Sequence, residues 1–274
     1  MAILVLDSGV GGLTVLREVR AFLPTQQIIY VGDDDGFPYG GWPEEALVER
    51  LVNLFSHYLK AHSIELAIVA CNTASTLIMP SLRAAFDIPF VGTVPAIKPA
   101  AERTDSGLVS VLATPGTVNR RYTQTLIDKF AGDSSVNLVG STELAKMAER
   151  YMQSRKIDAD ALRREIEPCF VSRDGKRTDI VVLGCTHYPF LVNEMRKLAP
   201  WPVDWIDPSE AIAKRALHVL EETSPRDVFD AQQEPDLAYL TSNTSNTSAR
   251  RLLQGFGLQL QDHDSAQLDR QGQA

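Results

Sequence analysis

Cysteine is scarce in this chain, with three in 274 residues. So small and odd a number excludes a disulfide framework, and each cysteine is then either a small buried hydrophobe or a thiol used in chemistry. A cationic excess is also missing: 35 acidic side chains stand against 27 basic ones, a net charge of −8. That excludes a nucleic-acid backbone as the main partner, because no surplus of cations is available to displace its counterions. Long apolar runs are absent as well. None reaches the length of a membrane span, and the first apolar stretch, residues 3–6, is far too short for the core of a signal peptide. The expectation is a cytoplasmic protein with no membrane association.

What is present is an ordinary globular composition, 44% hydrophobic and 23% charged, in a chain long enough for two domains of average size. Short apolar runs at residues 2–6, 28–31, 66–70, 108–113, 136–139 and 180–184 read as strands without a solvent face. Helical spacing fills residues 13–23, 44–62, 75–86, 118–130 and 189–198 between them. Strands buried on both faces and separated by amphipathic helices mark an α/β fold with mainly parallel sheets.

The pattern repeats loosely. Val5-Leu6-Asp7-Ser8-Gly9 ends a strand and opens a helix, and so does Val111-Leu112-Ala113-Thr114-Pro115-Gly116. Ile68-Val69-Ala70-Cys71-Asn72-Thr73 is echoed by Val182-Leu183-Gly184-Cys185-Thr186-His187. Two pseudo-symmetric halves result, each ending a strand in a cysteine. Pro and Trp break the pattern near residues 95–99 and 201–208, and a strand at residues 237–241 suggests that the chain returns to its first domain. The expected division is residues 1–96 with 208–261, then residues 97–207, with residues 262–274 a polar, disordered tail.

Strand ends in a parallel sheet gather function, because the loops there form a crevice lined by helix N-termini. Cys71 and Cys185 both fall at such ends with a helix start expected directly after them, where backbone N–H groups favour a thiolate. A free thiol titrates near roughly 8.5, so a modest downward push makes a base at neutral pH. His187 lies two residues past Cys185, close enough to move its proton, and Asp7 ends the first strand, matching Cys71. Asp7 also has a competing reading as the cap of the first helix. Cys169, in Pro168-Cys169-Phe170, reads as packing. Gly9-Val10-Gly11-Gly12 with Asp33 at the next strand end imitates a dinucleotide fingerprint, but Thr14 stands where its third glycine belongs. The same loop suits a smaller carboxylate ligand. A zinc site from Cys71, Cys185 and His187 lacks the usual ligand spacing, so no metal is expected.

These residues resemble the bacterial glutamate racemases, within the aspartate/glutamate racemase superfamily. The resemblance rests on Leu6-Asp7-Ser8-Gly9-Val10-Gly11-Gly12-Leu13-Thr14-Val15, Pro38-Tyr39-Gly40, Ala70-Cys71-Asn72-Thr73-Ala74, Ala113-Thr114-Pro115-Gly116-Thr117-Val118 and Leu183-Gly184-Cys185-Thr186-His187-Tyr188-Pro189. It implies a cofactor-independent, two-base isomerase with its substrate, L- or D-glutamate, in a cleft between two α/β domains. It further implies a homodimer that supplies D-glutamate for peptidoglycan. By the resemblance Cys71 deprotonates D-glutamate with help from Asp7, and Cys185 deprotonates L-glutamate with help from His187. Ser8, Tyr39, Gly40, Asn72 and Thr73 would hold substrate with Asp7, as would Thr114, Thr186 and His187. The family's Asp-Thr-Ala-Arg, before its Pro-Tyr-Gly block, is replaced here by Asp33-Asp34-Asp35-Gly36, which removes an arginine and leaves the loop more acidic. Glu149 falls near an acidic residue of the family's second domain. Activation by a cell-wall precursor, associated with an N-terminal extension in some members, is not expected of a chain that opens on its first strand. The rivals are a racemase of aspartate or another amino acid, a nicotinamide dehydrogenase and a non-catalytic dicarboxylate-binding protein.

Overall fold

The computed structural model describes residues 1–153, 156–223, 234–242 and 247–262. The expected tail lies almost wholly outside them. The described chain forms two compact units, one of residues 1–93 with the chain from Ser209 onward, the other Val94–Pro208.

In the first unit β1 (Ala2–Asp7), β2 (Gln27–Gly32), β3 (Ile64–Val69) and β4 (Phe90–Gly92) alternate with α1 (Leu13–Phe22), α2 (Glu44–Ala61) and α3 (Asn72–Ala85). All six residues of β1 are buried, as its unbroken apolar run requires of a central strand. The second unit runs α4 (Ile97–Arg103), β5 (Leu108–Ala113), α5 (Pro115–Val118), α6 (Arg121–Phe130), β6 (Ser135–Gly140), α7 (Leu144–Met152) and α8 (Ala159–Ile166). A small antiparallel hairpin, β7 (Ser172–Arg173) and β8 (Lys176–Arg177), leads to β9 (Ile180–Gly184), α9 (Val192–Leu198) and β10 (Asp204–Ile206). The chain then returns to the first unit as α10 (Ser209–Thr223), β11 (Leu237–Leu240), α11 (Thr247–Gly255) and β12 (Gln259–Gln261).

Both main sheets are parallel. Their strand orders are β12-β11-β2-β1-β3-β4 and β10-β9-β5-β6. Read outward from β1 and from β5, the two orders share one pattern: β2-β1-β3-β4 corresponds to β6-β5-β9-β10. The backbone repeats it too. Asp33 N–H donates to Asp7 O at 2.8 Å, and Ser141 N–H donates to Ala113 O at 2.8 Å. Hence Asp7 corresponds to Ala113, and Asp33 to Ser141. The loose echo in the sequence is a topological repeat.

Leu4, Leu6, Ile29, Val31, Leu51, Phe55, Val69 and Ile78 form a core under α2 and α3 in the first unit, and α1 packs with α10 elsewhere on it. Ile97, Ala100, Val109, Val111, Ile180 and Val182 form its counterpart in the second. One expectation fails here. The β6 strand is only part-buried, because it lies at the edge of its sheet with one hydrogen-bonded neighbour. Its Ser135 and Gly140 are exposed and its Val136 and Leu138 only part-buried against the core. Among the described residues no helix is long and apolar enough to cross a membrane.

Candidate active site

The parallel register of β1 with β3 sets Leu6 against Val69, and Ala70 N–H donates to Leu6 O at 2.8 Å. Asp7-Ser8, at the end of β1, and Cys71-Asn72, just past the end of β3, are thereby brought side by side. Asp7 is fully buried, and its Oδ2 accepts the Gly9 N–H at 3.1 Å. It does not cap α1, whose cap position is Gly12 with no side-chain cap bond. Gly12 is there for space: a Cβ would lie 2.8 Å from the Asp7 Cβ and 3.2 Å from that of Ala70. The glycines let α1 start against the sheet.

Cys71 is buried and caps the N-terminus of α3 with extended backbone, its Sγ 3.9 Å from Ser8 Oγ. The first-turn N–H groups and dipole of this 14-residue helix favour negative charge at that position. Asn72, 2% exposed, has neither its Oδ1 nor its Nδ2 paired among the described residues. Leaving such groups without partners costs about 1–3 kcal/mol each, so the pair is a vacancy for one acceptor and one donor. Thr73 is buried next to it. Tyr39 is buried on a 3-10 turn (Tyr39–Gly41) that packs on α3, while Gly40 is exposed. Burial pushes the Tyr39 phenol well up, and the charges of Asp33, Cys71 and Asp7 push it further. Its proton stays on, and it donates to Asp33 Oδ2 at 2.7 Å.

In the second unit β9 lies beside β5 in register Ala113 to Gly184, which places Thr114 and Cys185 at adjoining ends. Thr114 Oγ1 lies 3.1 Å from Thr117 Oγ1, and Thr186 is buried. Cys185 Sγ is 3.9 Å from His187 Nδ1, and His187 Nε2 is 3.0 Å from Glu149 Oε1 on α7. A carboxylate only accepts, so His187 carries its hydrogen on Nε2 and turns the Nδ1 lone pair to the thiol. The expected helix start at Thr186 is corrected. A 3-10 turn over Tyr188–Leu191 follows His187, and α-helix begins only at Val192. Pro189 opens that turn, and the polar support of Cys185 is His187 with Glu149 in place of a helix dipole.

The residue spacing gave Glu149 no role, and only the family resemblance pointed near it: it carries no motif and meets His187 across 38 positions. Sequence reasoning also missed where the acidic loop finds its counter-charge. Asp33 is fully buried and held by Arg50, Tyr39 and Thr241, while Asp34 accepts from the Ser242 N–H and hydroxyl. With its oxygens so occupied, Asp33 cannot take a ribose hydroxyl, and the dinucleotide reading falls. Cys169 is fully buried, and burial pushes its thiol up to about 12.

The profile of the Asp/Glu/hydantoin racemases matches residues 14–216. The chain belongs to that family. Among racemase relatives, the glutamate racemase of Brucella canis is 57% identical over 257 residues, 93% of this chain and 92% of that one. The structure of Escherichia coli glutamate racemase, in complex with L-glutamate and the activator UDP-MurNAc-ala, superposes with a TM-score of 0.86 at 40% identity, over 95% of this chain and 97% of that one. Glutamate racemase from Francisella tularensis, in complex with D-glutamate, gives 0.78 at 25% identity, over 98% of each chain.

Proposed function

We propose that this racemase-family chain interconverts L- and D-glutamate with two cysteine bases and no cofactor. One observation carries the reading: two buried thiols stand at matching strand ends of a repeated α/β unit, each with its own polar neighbour, Ser8 for Cys71 and His187 for Cys185. Inverting a stereocentre through a carbanion-like state needs a base on one face of the α-carbon and an acid on the other. Two thiols meet that need when one is a thiolate and the other protonated. Cys71 takes the proton from D-glutamate and Cys185 from L-glutamate, with Asp7 the acid–base assistant of the first. His187 accepts or returns the proton of Cys185, and Glu149 steadies the imidazolium.

The free amide of Asn72 supports an amino-acid substrate. A zwitterion offers a carboxylate to its Nδ2 and an ammonium to its Oδ1. Ser8, Tyr39, Gly40, Thr73, Thr114 and Thr186 complete the contacts. In this reading the enzyme works in the cytoplasm as a homodimer and supplies D-glutamate to peptidoglycan synthesis. Polarimetric initial rates on both enantiomers of glutamate and of aspartate test it. The expected result is turnover of glutamate in both directions, with racemisation lowered at least about a thousandfold in Cys71→Ser and in Cys185→Ser. A faster rate on aspartate, or near-full activity in either variant, contradicts it.

A further inference from the structure

Tyr39 packs in the same core as Cys71, yet its position is set from a different direction. Asp33, 0% exposed, is a hub. Its Oδ2 accepts from Arg50 Nε at 2.7 Å and from the Tyr39 hydroxyl at 2.7 Å. Its Oδ1 accepts from Arg50 Nη2 and from Thr241 Oγ1, each at 2.6 Å. The guanidinium is thus bidentate, the arrangement that fixes direction as well as charge. Arg50 also reaches Asp35 Oδ2 at 3.2 Å and lies over the Trp42 ring, 5.4 Å from its centroid. Trp42 in turn donates from Nε1 to Gly36 O at 2.9 Å and from its backbone N–H to Tyr39 O at 3.1 Å. Residues 33–42 are thus tied to one side chain of α2, with Thr241 and Ser242 holding Asp33, Asp34 and Asp35 from the other side.

Gly36 shows how closely the clamp is built. A Cβ there would lie 2.5 Å from Asp33 Oδ2, 2.8 Å from Arg50 Nε and 3.0 Å from Tyr39 Cε1. A side chain at that position would have to shift the contact between Arg50 and Asp33. The clamp also fixes the polarity of Tyr39. Because the Asp33 carboxylate takes the phenolic hydrogen, Tyr39 presents only lone pairs to anything else that approaches its oxygen, and so accepts from a donor such as an ammonium group.

We propose that Arg50 is a positioning residue for substrate binding: through Asp33 it seats the Pro38-Tyr39-Gly40 turn, which packs on α3, and holds the Tyr39 oxygen as an acceptor. This rests on the reading of Tyr39 as a glutamate-binding residue. Without the guanidinium the buried carboxylate lacks its counter-charge, the turn loosens, and substrate affinity falls while the thiols keep their own neighbours.

The test is steady-state racemisation by wild type, Arg50→Gln, Arg50→Lys and Arg50→Ala, the last with and without added methylguanidinium, beside thermal unfolding of each. Arg50 is 23% exposed, so a small guanidinium can enter from solvent. KM for both enantiomers should rise about tenfold or more in Arg50→Gln with kcat within about threefold of wild type, a split that mere unfolding does not produce. Arg50→Lys should recover part of the loss, and methylguanidinium should lower the KM of Arg50→Ala. Should the Arg50 variants fail to fold, Gly36→Ala keeps the arginine but presses on its contact with Asp33, and should raise KM alone. A KM close to wild type, or a rise that neither lysine nor methylguanidinium reduces, overturns the proposal. Failure of the glutamate reading itself would show separately, as a wild type that does not turn over glutamate.

Discussion

At the scale of single residues, three cysteines of similar burial have three different surroundings. Cys169 is fully buried, and burial pushes its thiol up to about 12, so it stays protonated and inert. Cys71 has a helix N-terminus and Ser8; Cys185 has His187 and, through it, Glu149. The Glu149 carboxylate, 3.0 Å from His187 Nε2, orients the ring. Glu149→Gln keeps the shape but removes the charge. It should lower kcat by about ten- to a hundredfold with little change in KM or thermal midpoint. An unchanged kcat would reduce Glu149 to a structural neighbour. Cys71 and Cys185 were legible in the sequence because strand-end cysteines followed by hydrogen-bonding residues are uncommon. Arg50 was not, and Glu149 only through the family resemblance, since their partners lie on other elements with no local spacing to reveal them.

At the scale of elements, the long apolar strands and the helices of regular period were readable from hydrophobic spacing alone. Strands β4, β10 and β12 span three residues each, too few to show any period, and are strands only because a longer neighbour pairs with them. The start of the helix after Cys185 was misread for a comparable reason, as Pro189 suits the first turn of a 3-10 segment as well as that of an α-helix. Loops between elements are tied by charge. Asp179, just before β9, accepts from Thr104 Oγ1 at 2.6 Å and from the N–H groups of Asp105 and Ser106 at 2.8 Å, closing the connection from α4 to β5. Burial acts to raise its pKa, but these hydrogen bonds outweigh it and hold the carboxyl below its ordinary value. A folded-state pKa below the unfolded value of about 3.9 stabilises the fold above that pH and loses the contribution as pH falls through the folded value. Asp179→Asn should therefore cost about 1 kcal/mol in urea unfolding at pH 7, allowing for solvent screening, with the gap to wild type shrinking as pH falls below about 4. A gap that stays constant into acid would place the effect outside the carboxylate's charge.

At the scale of the whole molecule, the repeated order of β2-β1-β3-β4 and β6-β5-β9-β10 places one thiol in each unit at the same topological position. The two copies have diverged in chemistry: where the first has Asp7 and Asp33, the second has Ala113 and Ser141. A ligand that fills the vacancy at Asn72 should stabilise the fold by mass action, about 2.7 kcal/mol at a hundred times its Kd. D-glutamate should raise the thermal midpoint of wild type and raise it much less in Asn72→Ala; an equal shift in both would remove Asn72 from the substrate's contacts. The two-base reading makes a sharper demand. A thiol that has just exchanged its proton with solvent reprotonates one face, so in deuterated buffer the isotope must enter with inversion. Proton NMR of a single enantiomer of glutamate, sampled at early turnover and resolved into recovered substrate and product, measures this directly. The account predicts product deuterated at the α-carbon from the first turnovers, with recovered substrate still carrying protium. Deuterium entering recovered substrate as fast as product would mean a single base serving both faces, and would contradict it.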